Sequence, residues 1–338
     1  MIDVLVAGGG PAGLATAIGA ARAGREVVVT EPREGPVDKA CGEGLMPAAV
    51  RAVSELAGPV PGAPFRGIRY LDGRRVAEAP FRSGCGLGVR RTVLHAALHQ
   101  AAQRAGVAFV EQRITDVRQD TGSITAGGIE ARWLVGADGL HSSVRSAIGV
   151  GRRDARPHRY GQRRHFAVEP WADLVEVHWA PRAEAYVTPL APDLVGVAVL
   201  TEDRGSFDEH MRAFPALSEQ LPPHAVTRTR GAGPLRQRVS SRRVGRVLLV
   251  GDAAGYVDAL TGEGLAVSFA AANALVDCLV RERPQDYDAA WRQLSRPYRM
   301  LTGGLLAARR TPGLSRAIVP ASARLPRVFG AVVDSLAG

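Results

Sequence analysis

The stretch Ile2–Thr30, IDVLVAGGGPAGLATAIGAARAGREVVVT, decides the fold. It begins with a short apolar run, which is typical of a parallel strand that is covered on both faces. A glycine-rich turn follows, and an alanine-rich segment, Pro11–Ala23, is then predicted to be a helix that ends at Gly24. Glu26–Thr30 is a second apolar strand. This order of strand, helix and strand predicts a βαβ unit and hence a parallel sheet with helices on its faces.

The turn between the first strand and the helix, GGGPAG at Gly8–Gly13, matches the pattern GxGxxG. It lies directly after a strand and opens a helix, which is the context that this pattern requires. Gly8 permits a tight turn, Gly10 lets the backbone approach a pyrophosphate, and Gly13 allows the helix to pack close to the sheet. Glu31 closes the second strand, where its carboxylate can accept hydrogen bonds from a ribose. These residues predict a dinucleotide site at the positive end of the helix.

Two distant segments indicate which dinucleotide is bound. GADGLHSSVR at Gly136–Arg145 and GDAAG at Gly251–Gly255 resemble the paired DG and GD fingerprints of the para-hydroxybenzoate hydroxylase-like flavoproteins. That superfamily includes the single-component aromatic monooxygenases and the geranylgeranyl reductases, and the resemblance covers about residues 1–282. It implies an α/β fold, in which a Rossmann-type FAD-binding lobe with a parallel sheet is joined to a mainly antiparallel β-sheet substrate lobe.

The resemblance implies roles for individual residues. Asp252 would bind the ribityl chain of FAD, and Glu31 with Arg33 would hold its adenosine side. Arg91 would lie along the diphosphate, and Asp138 belongs to the motif associated with both FAD and the nicotinamide cofactor. For Asp252 the structural alternative is a cap of the following helix. The predicted FAD-binding residues are Gly8, Gly10, Pro11, Ala12, Gly13, Glu31, Arg33, Cys41, Gly42, Arg91, Asp138, Gly251, Asp252, Gly262, Gly264 and Leu265.

Two glycine-containing loops are predicted to lie beside the flavin. TGEGL at Thr261–Leu265 leads into a long predicted helix, Glu263–Arg281. In the family this loop sits beside the flavin pyrimidine ring, where a helix N-terminus stabilises negative charge on reduced flavin. CGEGL at Cys41–Leu45 resembles a segment near the flavin in geranylgeranyl reductases and in some monooxygenases. A reactive thiol needs a cationic neighbour, for which Lys39 is a candidate. The favoured role of Cys41 is packing beside the isoalloxazine rather than a direct catalytic one.

The spacing of apolar residues changes in the middle of the chain. From about Arg163 to Leu200 apolar and polar residues alternate with period two, which predicts antiparallel strands. His165, His178 and Tyr186 lie in or beside these strands and could supply hydrogen bonds or a proton. Together with Cys41 they are the catalytic candidates, although a structural role is the commoner one for each of them. Tyr186–Leu190, YVTPL, resembles the family segment that brings a proline near the flavin, so Pro189 is predicted to line the substrate site.

These patterns predict a discontinuous FAD-binding domain formed by residues 1–65, 86–150 and 240–285. Residues 66–85 and 151–239 are predicted to form the substrate-binding β-sheet domain, and residues 286–338 a C-terminal helical segment. The segment from Glu31 to about Pro47 is predicted to be a loop. The arginine-rich stretch Met300–Gly338 is predicted to form helices with arginines in solvent; an amphipathic surface in peripheral contact with lipid is the alternative.

Composition restricts the partners. The formal charge of +10 could indicate nucleic-acid binding, but the arginines are dispersed and are not interleaved with the aromatic residues that stack on bases. Cys41, Cys85 and Cys278 are too scattered for a disulfide framework, and no cysteine or histidine spacing suggests a metal. The start of the chain has no basic leader, and no apolar stretch is long enough to span a bilayer. We therefore predict a cytoplasmic protein without integral membrane association.

The leading functional hypothesis is an FAD-dependent monooxygenase. NADPH or NADH would reduce FAD, and a flavin C4a-hydroperoxide formed with O2 would hydroxylate an aromatic or polyketide-like small molecule. The alternative is a geranylgeranyl reductase-like flavoprotein that saturates the double bonds of a prenyl substrate. A halogenase is disfavoured because no WxWxIP motif is present and Lys39 is the only lysine. A non-catalytic flavin-binding partner or redox sensor is disfavoured by the apparently complete set of FAD motifs.

Overall fold

The computed structural model describes residues 1–338 and contains strands and helices throughout the chain. In chain order the strands are β1 Ile2–Ala7, β2 Val27–Thr30, β3 Gly44–Leu45, β4 Ala63–Phe65, β5 Gly67–Leu71, β6 Val76–Pro80, β7 Gly86–Gly88, β8 Ala108–Val110, β9 Val117–Gln119, β10 Ile124–Ala126, β11 Ile129–Gly136, β12 Gly151–Arg152, β13 Tyr160–Phe166, β14 Val175–Trp179, β15 Ala183–Ala191, β16 Leu194–Thr201, β17 Arg230–Ala232, β18 Arg238–Val239, β19 Arg243–Val244 and β20 Val247–Leu249. The helices are α1 Pro11–Arg22, α2 Pro47–Ala57, α3 Arg91–Arg104, α4 Ser143–Ala147, α5 Phe207–Met211, α6 Pro215–Ser218, α7 Gly264–Val280, α8 Tyr287–Arg310, α9 Pro312–Ser315, α10 Ile318–Arg324 and α11 Pro326–Ala337.

The first βαβ unit is present as predicted, and it lies in the middle of a sheet. Strand β1 pairs in parallel with β11 and with β2, and the order β20-β11-β1-β2-β8 is parallel throughout. Both faces are covered, because the consecutive residues Val4 to Ala7 of β1 are all buried. Helices α1, α3 and α7 share one large apolar core with β1, β2, β11 and β20. The apolar character of these strands follows from that burial. All carboxyl ends of the five parallel strands lie at one edge, where the glycine-rich turn begins.

A second sheet has the strand order β17-β13-β16-β15-β14-β5-β6. It is antiparallel except where β14 pairs in parallel with β5. Burial alternates along the outer strands β6 and β13, whereas β15 and β16 in the middle of the sheet are buried almost throughout. The two sheets confirm the predicted fold class of a parallel, Rossmann-type lobe with a mainly antiparallel second lobe. The domain boundaries drawn from the sequence stay predictions.

Two sequence predictions are corrected. The segment between Glu31 and Pro47 is not entirely a loop, because Gly44–Leu45 forms a strand that pairs with β7 in a three-stranded sheet. The prediction that the C-terminal arginines lie in solvent is wrong for Arg309 and Arg310. The first is ion-paired with buried Glu184, and the second, at 2.9 Å, with Glu202. These pairs hold the end of α8 against the second sheet, while α10 and α11 pack on β6.

Candidate FAD and substrate site

One large cavity lies between the two sheets. Its volume is about 520 Å³, and 55 residues from both lobes line it. The parallel lobe contributes the glycine-rich turn, the end of β2 and the motifs at Asp138 and Asp252, and the second sheet contributes residues such as Val177 and Tyr186. Residues far apart in sequence thus meet in one space.

The three motif glycines have different surroundings. A Cβ on Gly13 would lie 2.0 Å from the carbonyl oxygen of Gly8, so that helix α1 can approach the turn only without a side chain. Gly8 has a φ of 109°, and a Cβ there would lie 2.6 Å from the Ala137 oxygen. A Cβ on Gly10, by contrast, would meet no protein atom within 4 Å. Gly10 therefore leaves open space at the N-terminus of α1, where a pyrophosphate fits.

Two side chains, Glu31 and His95, bond to the backbone of the glycine-rich turn. The Glu31 carboxylate accepts a hydrogen bond from the Gly9 amide at 3.0 Å and is paired with Arg33 at 2.7 Å. Burial opposes ionisation of Glu31, but Arg33 and the Gly9 amide outweigh it and lower its pKa. On α3, His95 Nε2 lies 3.0 Å from the Gly9 oxygen, and burial first and Arg91 second lower the pKa of this ring to about 4. Neutral His95 therefore donates to the turn, a role that sequence reasoning missed.

Two polar atoms on the parallel-sheet side of the cavity wall have no partner. Arg91 Nε and Asp138 Oδ1 are buried without a hydrogen bond, and both residues line the cavity. The other Asp138 oxygen accepts from the Val144 amide at 3.1 Å. Buried polar groups are seldom left unsatisfied, so these two atoms indicate a ligand with its own acceptor and donor groups. The phosphates and hydroxyl groups of FAD supply both, and the wall therefore fits this cofactor.

The DG and GD motifs are tied together by Arg145. This buried side chain donates to the Leu140 oxygen at 2.6 Å and to the Asp252 oxygen at 3.4 Å. The Asp252 carboxylate is paired with Lys39 Nζ at 2.9 Å. Asp252 is thus fixed at the cavity wall by its backbone and its side chain, and Lys39 is the partner of Asp252.

The sequence made Lys39 the candidate cation that would lower the pKa of the Cys41 thiol. In the structure Lys39 is paired with Asp252 instead. Cys41 lines the cavity, and its sulfur accepts a hydrogen bond from the Glu43 amide at 3.4 Å. We expect Cys41→Ser to bind FAD and to turn over at the wild-type rate. Flavin titration and steady-state kinetics check this result. A complete loss of turnover with normal FAD content would make the thiol catalytic.

The same loop presents a carboxylate that sequence reasoning did not assign. Glu43 lines the cavity, is 3% exposed and has a φ of 60°, in the left-handed region. One of its oxygens accepts from the Arg91 amide at 2.7 Å, and the other lies 2.6 Å from Nε2 of fully buried His165. Strained backbone of this kind is common at functional sites. The flanking glycines hinted at a special loop, but the partner 122 residues away was not visible in the sequence.

Not all of the remaining catalytic and substrate-site candidates line the cavity. Tyr186 lines the cavity and donates its hydroxyl to the Leu260 oxygen at 2.9 Å. His178 is not among the lining residues and pairs with Glu176 at 3.1 Å. Pro189 is buried in β15, and its neighbour Thr188, rather than Pro189, belongs to the lining. The structure therefore brings Cys41 and Tyr186 to the cavity directly, and His165 through Glu43.

The loop before α7 carries a buried acid. Gly262, Gly264 and Leu265 line the cavity. Glu263 is buried and is not among the lining residues, and one of its oxygens has no hydrogen-bond partner. Burial raises the pKa of Glu263 from 4.5 to about 8, although the Thr261 hydroxyl opposes the shift. Glu263 is therefore largely protonated at neutral pH.

The raised pKa of Glu263 makes the stability of the folded protein depend on pH. The folded protein binds a proton on Glu263 that the unfolded chain releases between pH 4.5 and about 8, so this group's contribution is complete below pH 4.5 and is lost as the pH rises through about 8. The loss is on the order of a few kcal/mol. We expect Glu263→Gln to remove this part of the pH dependence, and urea unfolding at several pH values measures it. Exposed Glu219→Gln is the control, and parallel profiles for Glu263→Gln and the wild type would contradict the expectation.

Comparison with known proteins agrees with this site. The FAD binding domain family model matches residues 89–282, and the FAD dependent oxidoreductase model matches residues 3–36. The chain is therefore an FAD-dependent oxidoreductase. It belongs to the FAD binding domain family, which agrees with the resemblance to the para-hydroxybenzoate hydroxylase-like flavoproteins that the motifs indicated.

Three similar proteins illustrate the range of this family. A menaquinone reductase of Mycobacterium tuberculosis is 30% identical over 302 residues, which cover 78% of this chain and 72% of that protein. A rifampicin monooxygenase of Streptomyces venezuelae is 27% identical over 304 residues, or 78% of this chain and 61% of that protein. The crystal structure of a flavoprotein/dehydrogenase from Cytophaga hutchinsonii superposes with a TM-score of 0.81 at 18% identity, covering 99% of this chain and 92% of that chain. No helix in the structure has the length and apolarity needed to cross a membrane.

Proposed function

We propose that the chain is a monooxygenase that hydroxylates an apolar aromatic or polyketide-like small molecule, with NADPH or NADH as the reductant of FAD. The observation that carries the proposal is the wall of the cavity on the side of the second sheet. Tyr70 and Tyr186 of this sheet contribute to it, and Phe65 of β4 and Tyr256 next to the GD motif also line the cavity. Aromatic rings favour offset or edge contacts with another ring, so this wall suits an aromatic substrate.

Aliphatic side chains also form part of this wall. Met46, Ile68, Val175, Val177 and Val333 belong to one apolar cluster with Phe65, and all six residues line the cavity. Tyr186 also contacts a second apolar cluster, Leu140, Leu200 and Leu235, which lines the cavity too. A ring that carries an apolar substituent would fill both regions and displace water from them.

When bound, FAD supplies the activation of O2 and the transfer of one oxygen atom. The residues of this chain have the other tasks. Gly10, Arg91 and Asp252 would hold the cofactor, and the aromatic wall would position the ring to be hydroxylated. Helix α11 borders the apolar side of the cavity through Val333 and Leu336, and this side would keep water away from the bound ring.

A second candidate function is the reduction of a prenyl double bond. It is favoured by the similarity to a menaquinone reductase and by the loop at Cys41–Leu45, which resembles the geranylgeranyl reductases. The aliphatic part of the wall would also suit a prenyl chain. Peripheral contact with lipid, which would bring such a substrate to the protein, stays a prediction.

The two functions differ in their need for O2. Purified FAD-loaded protein is mixed with NADPH or NADH and with a panel of alkyl-substituted phenols and prenylated quinones, and O2 consumption, reductant consumption and products are measured together. We expect a phenol to be hydroxylated with one O2 consumed per product, and no product under nitrogen. Anaerobic loss of one double bond from a prenyl compound, with no oxygenated product from any phenol, would contradict the proposal in favour of reduction.

A further inference from the structure

A second cavity shares the GD motif with the large one. Its volume is about 230 Å³, and it is lined by this motif, the segment Arg236–Val239, the first turns of α7 and helix α8. The residues that line both cavities are Gly251, Asp252, Tyr256, Gly264 and Ser268. Gly10 and Arg91, which would hold the diphosphate of FAD, line only the large cavity. The second cavity is therefore next to the flavin site but distinct from the place of the FAD diphosphate.

Positive charge dominates the lining of this second cavity, which we call the arginine pocket. Five of its lining residues are arginines: Arg156, Arg236, Arg238, Arg242 and Arg299. The one lining carboxylate is that of Asp252, and it is already paired with Lys39 at 2.9 Å. A cleft that is lined by charges of one sign concentrates ions of the other sign. The lining thus favours an anionic ligand.

Carboxylates outside the lining neutralise only two of these five arginines. Arg236 is paired with Asp154, and Arg242 lies 3.5 Å from Asp288. The other three arginines of the pocket form no ion pair with any carboxylate of the chain. They come from different segments, since Arg156 follows β12, Arg238 is in β18 and Arg299 is in α8. Three uncompensated cations therefore surround one space from different sides.

Arg242 is held in place with one nitrogen free. It is 7% exposed, and its guanidinium lies over the Trp291 ring, 3.9 Å from the centroid. Its Nε donates to the Ala254 oxygen at 3.1 Å, and its NH1 faces Asp288. Its NH2 makes no hydrogen bond and lies 3.7 Å from where a Cβ on Gly255, a lining residue, would be. A guanidinium that is fixed in this way loses little entropy when it binds a ligand.

We propose that the arginine pocket binds the diphosphate group of a small molecule. Guanidinium groups match the oxygens of a phosphate with two parallel hydrogen bonds, and the two phosphates of a diphosphate offer oxygens to arginines on several sides. Two sources of this group rest on the functions considered above: the dinucleotide NADPH or NADH, and a prenyl diphosphate as substrate. Because Asp252 and Tyr256 line both cavities, either molecule would be anchored beside the flavin site.

Calorimetric titration of FAD-loaded protein with inorganic diphosphate, at constant ionic strength, tests the site without knowledge of the source. We expect one diphosphate to bind per chain. Arg238→Gln and Arg299→Gln should each weaken its affinity by about 10-fold or more, because each removes charge-assisted hydrogen bonds. Both side chains are exposed, so the variants should fold. Arg316→Gln is the matched control: it removes the same charge from an exposed arginine outside the pocket and should bind diphosphate normally.

The same titrations with NADPH, NADH and a prenyl diphosphate distinguish the sources. If the reductant binds here, Arg238→Gln and Arg299→Gln lower its affinity and raise its KM while kcat is kept. If the substrate binds here, they lower only the affinity for the prenyl diphosphate. Unchanged affinity for all three compounds would overturn both sources. Wild-type protein that binds no inorganic diphosphate, or equal affinity in both pocket variants and Arg316→Gln, would overturn the site. Absence of a hydroxylated product, with diphosphate binding intact, would overturn only the proposed function.

Discussion

Gly10→Val is expected to give a folded, colourless protein. The backbone of Gly10 has a φ of −71°, which any residue adopts, and a Cβ there meets no protein atom within 4 Å. The valine side chain would therefore be accommodated by the protein and would instead occupy the space in front of α1. If the pyrophosphate of FAD occupies this space, affinity should fall by about 100-fold or more, which corresponds to about 3 kcal/mol.

Flavin fluorescence titration and thermal unfolding test this prediction together. Gly304→Val, at an exposed helical glycine that also has open surroundings, is the matched control and should bind FAD normally. Gly13→Val should behave differently from both, because its Cβ would lie 2.0 Å from the Gly8 oxygen and the turn itself could not form. Gly10→Val protein that is yellow, with wild-type FAD affinity, would show that the pyrophosphate lies elsewhere.

Arg159→Met is expected to cause the largest loss of stability. Arg159 is 4% exposed and pairs with Glu184, which is fully buried, and with Asp258 at 3.3 Å. Removal of one partner from a buried ion pair leaves an uncompensated charge and costs about 3–5 kcal/mol. The effect should be large here because Asp258 and Glu184 lose the same cation, although Glu184 keeps Arg309.

Urea unfolding measures this effect, with Arg66→Met as the control. Arg66 pairs with Asp173 at 2.7 Å, but both side chains are at least half exposed, and such pairs contribute little to stability. A variant at Arg159 that unfolds at the same urea concentration as Arg66→Met would contradict the account of this cluster. The cluster also links β15 and the end of α8 to the loop that precedes Thr261, so its loss should weaken FAD binding as well.

The FAD side of the site could be predicted because its determinants are local. The turn at Gly8–Gly13 requires glycine for steric reasons that act over a few residues, and the end of β2 places Glu31 beside it. The motifs at Asp138 and Asp252 follow apolar strands, and ligands gather at the carboxyl ends of such strands. Each of these relations depends on one short segment, so it can be recognised from one sequence without knowledge of the tertiary structure.

The substrate side could not be predicted in the same way. The contact between Glu43 and His165 joins residues 122 positions apart and depends on how the two sheets pack. The buried pairs of Glu184 with Arg159 and Arg309 likewise depend on how distant segments pack, and the sequence pattern indicated solvent for Arg309. The alternation in β13–β16 revealed a sheet but not which of its faces meets the cavity, so His178 and His165 were equivalent candidates.

Incorporation of oxygen from ¹⁸O2 tests the proposed monooxygenase most directly. Holoprotein, NADPH or NADH and the best phenol of the panel are incubated under ¹⁸O2, and the product is analysed by mass spectrometry. The account predicts a hydroxylated product that contains one ¹⁸O atom per molecule. A product without ¹⁸O, or a substrate that is reduced at a double bond equally well under nitrogen, would contradict it.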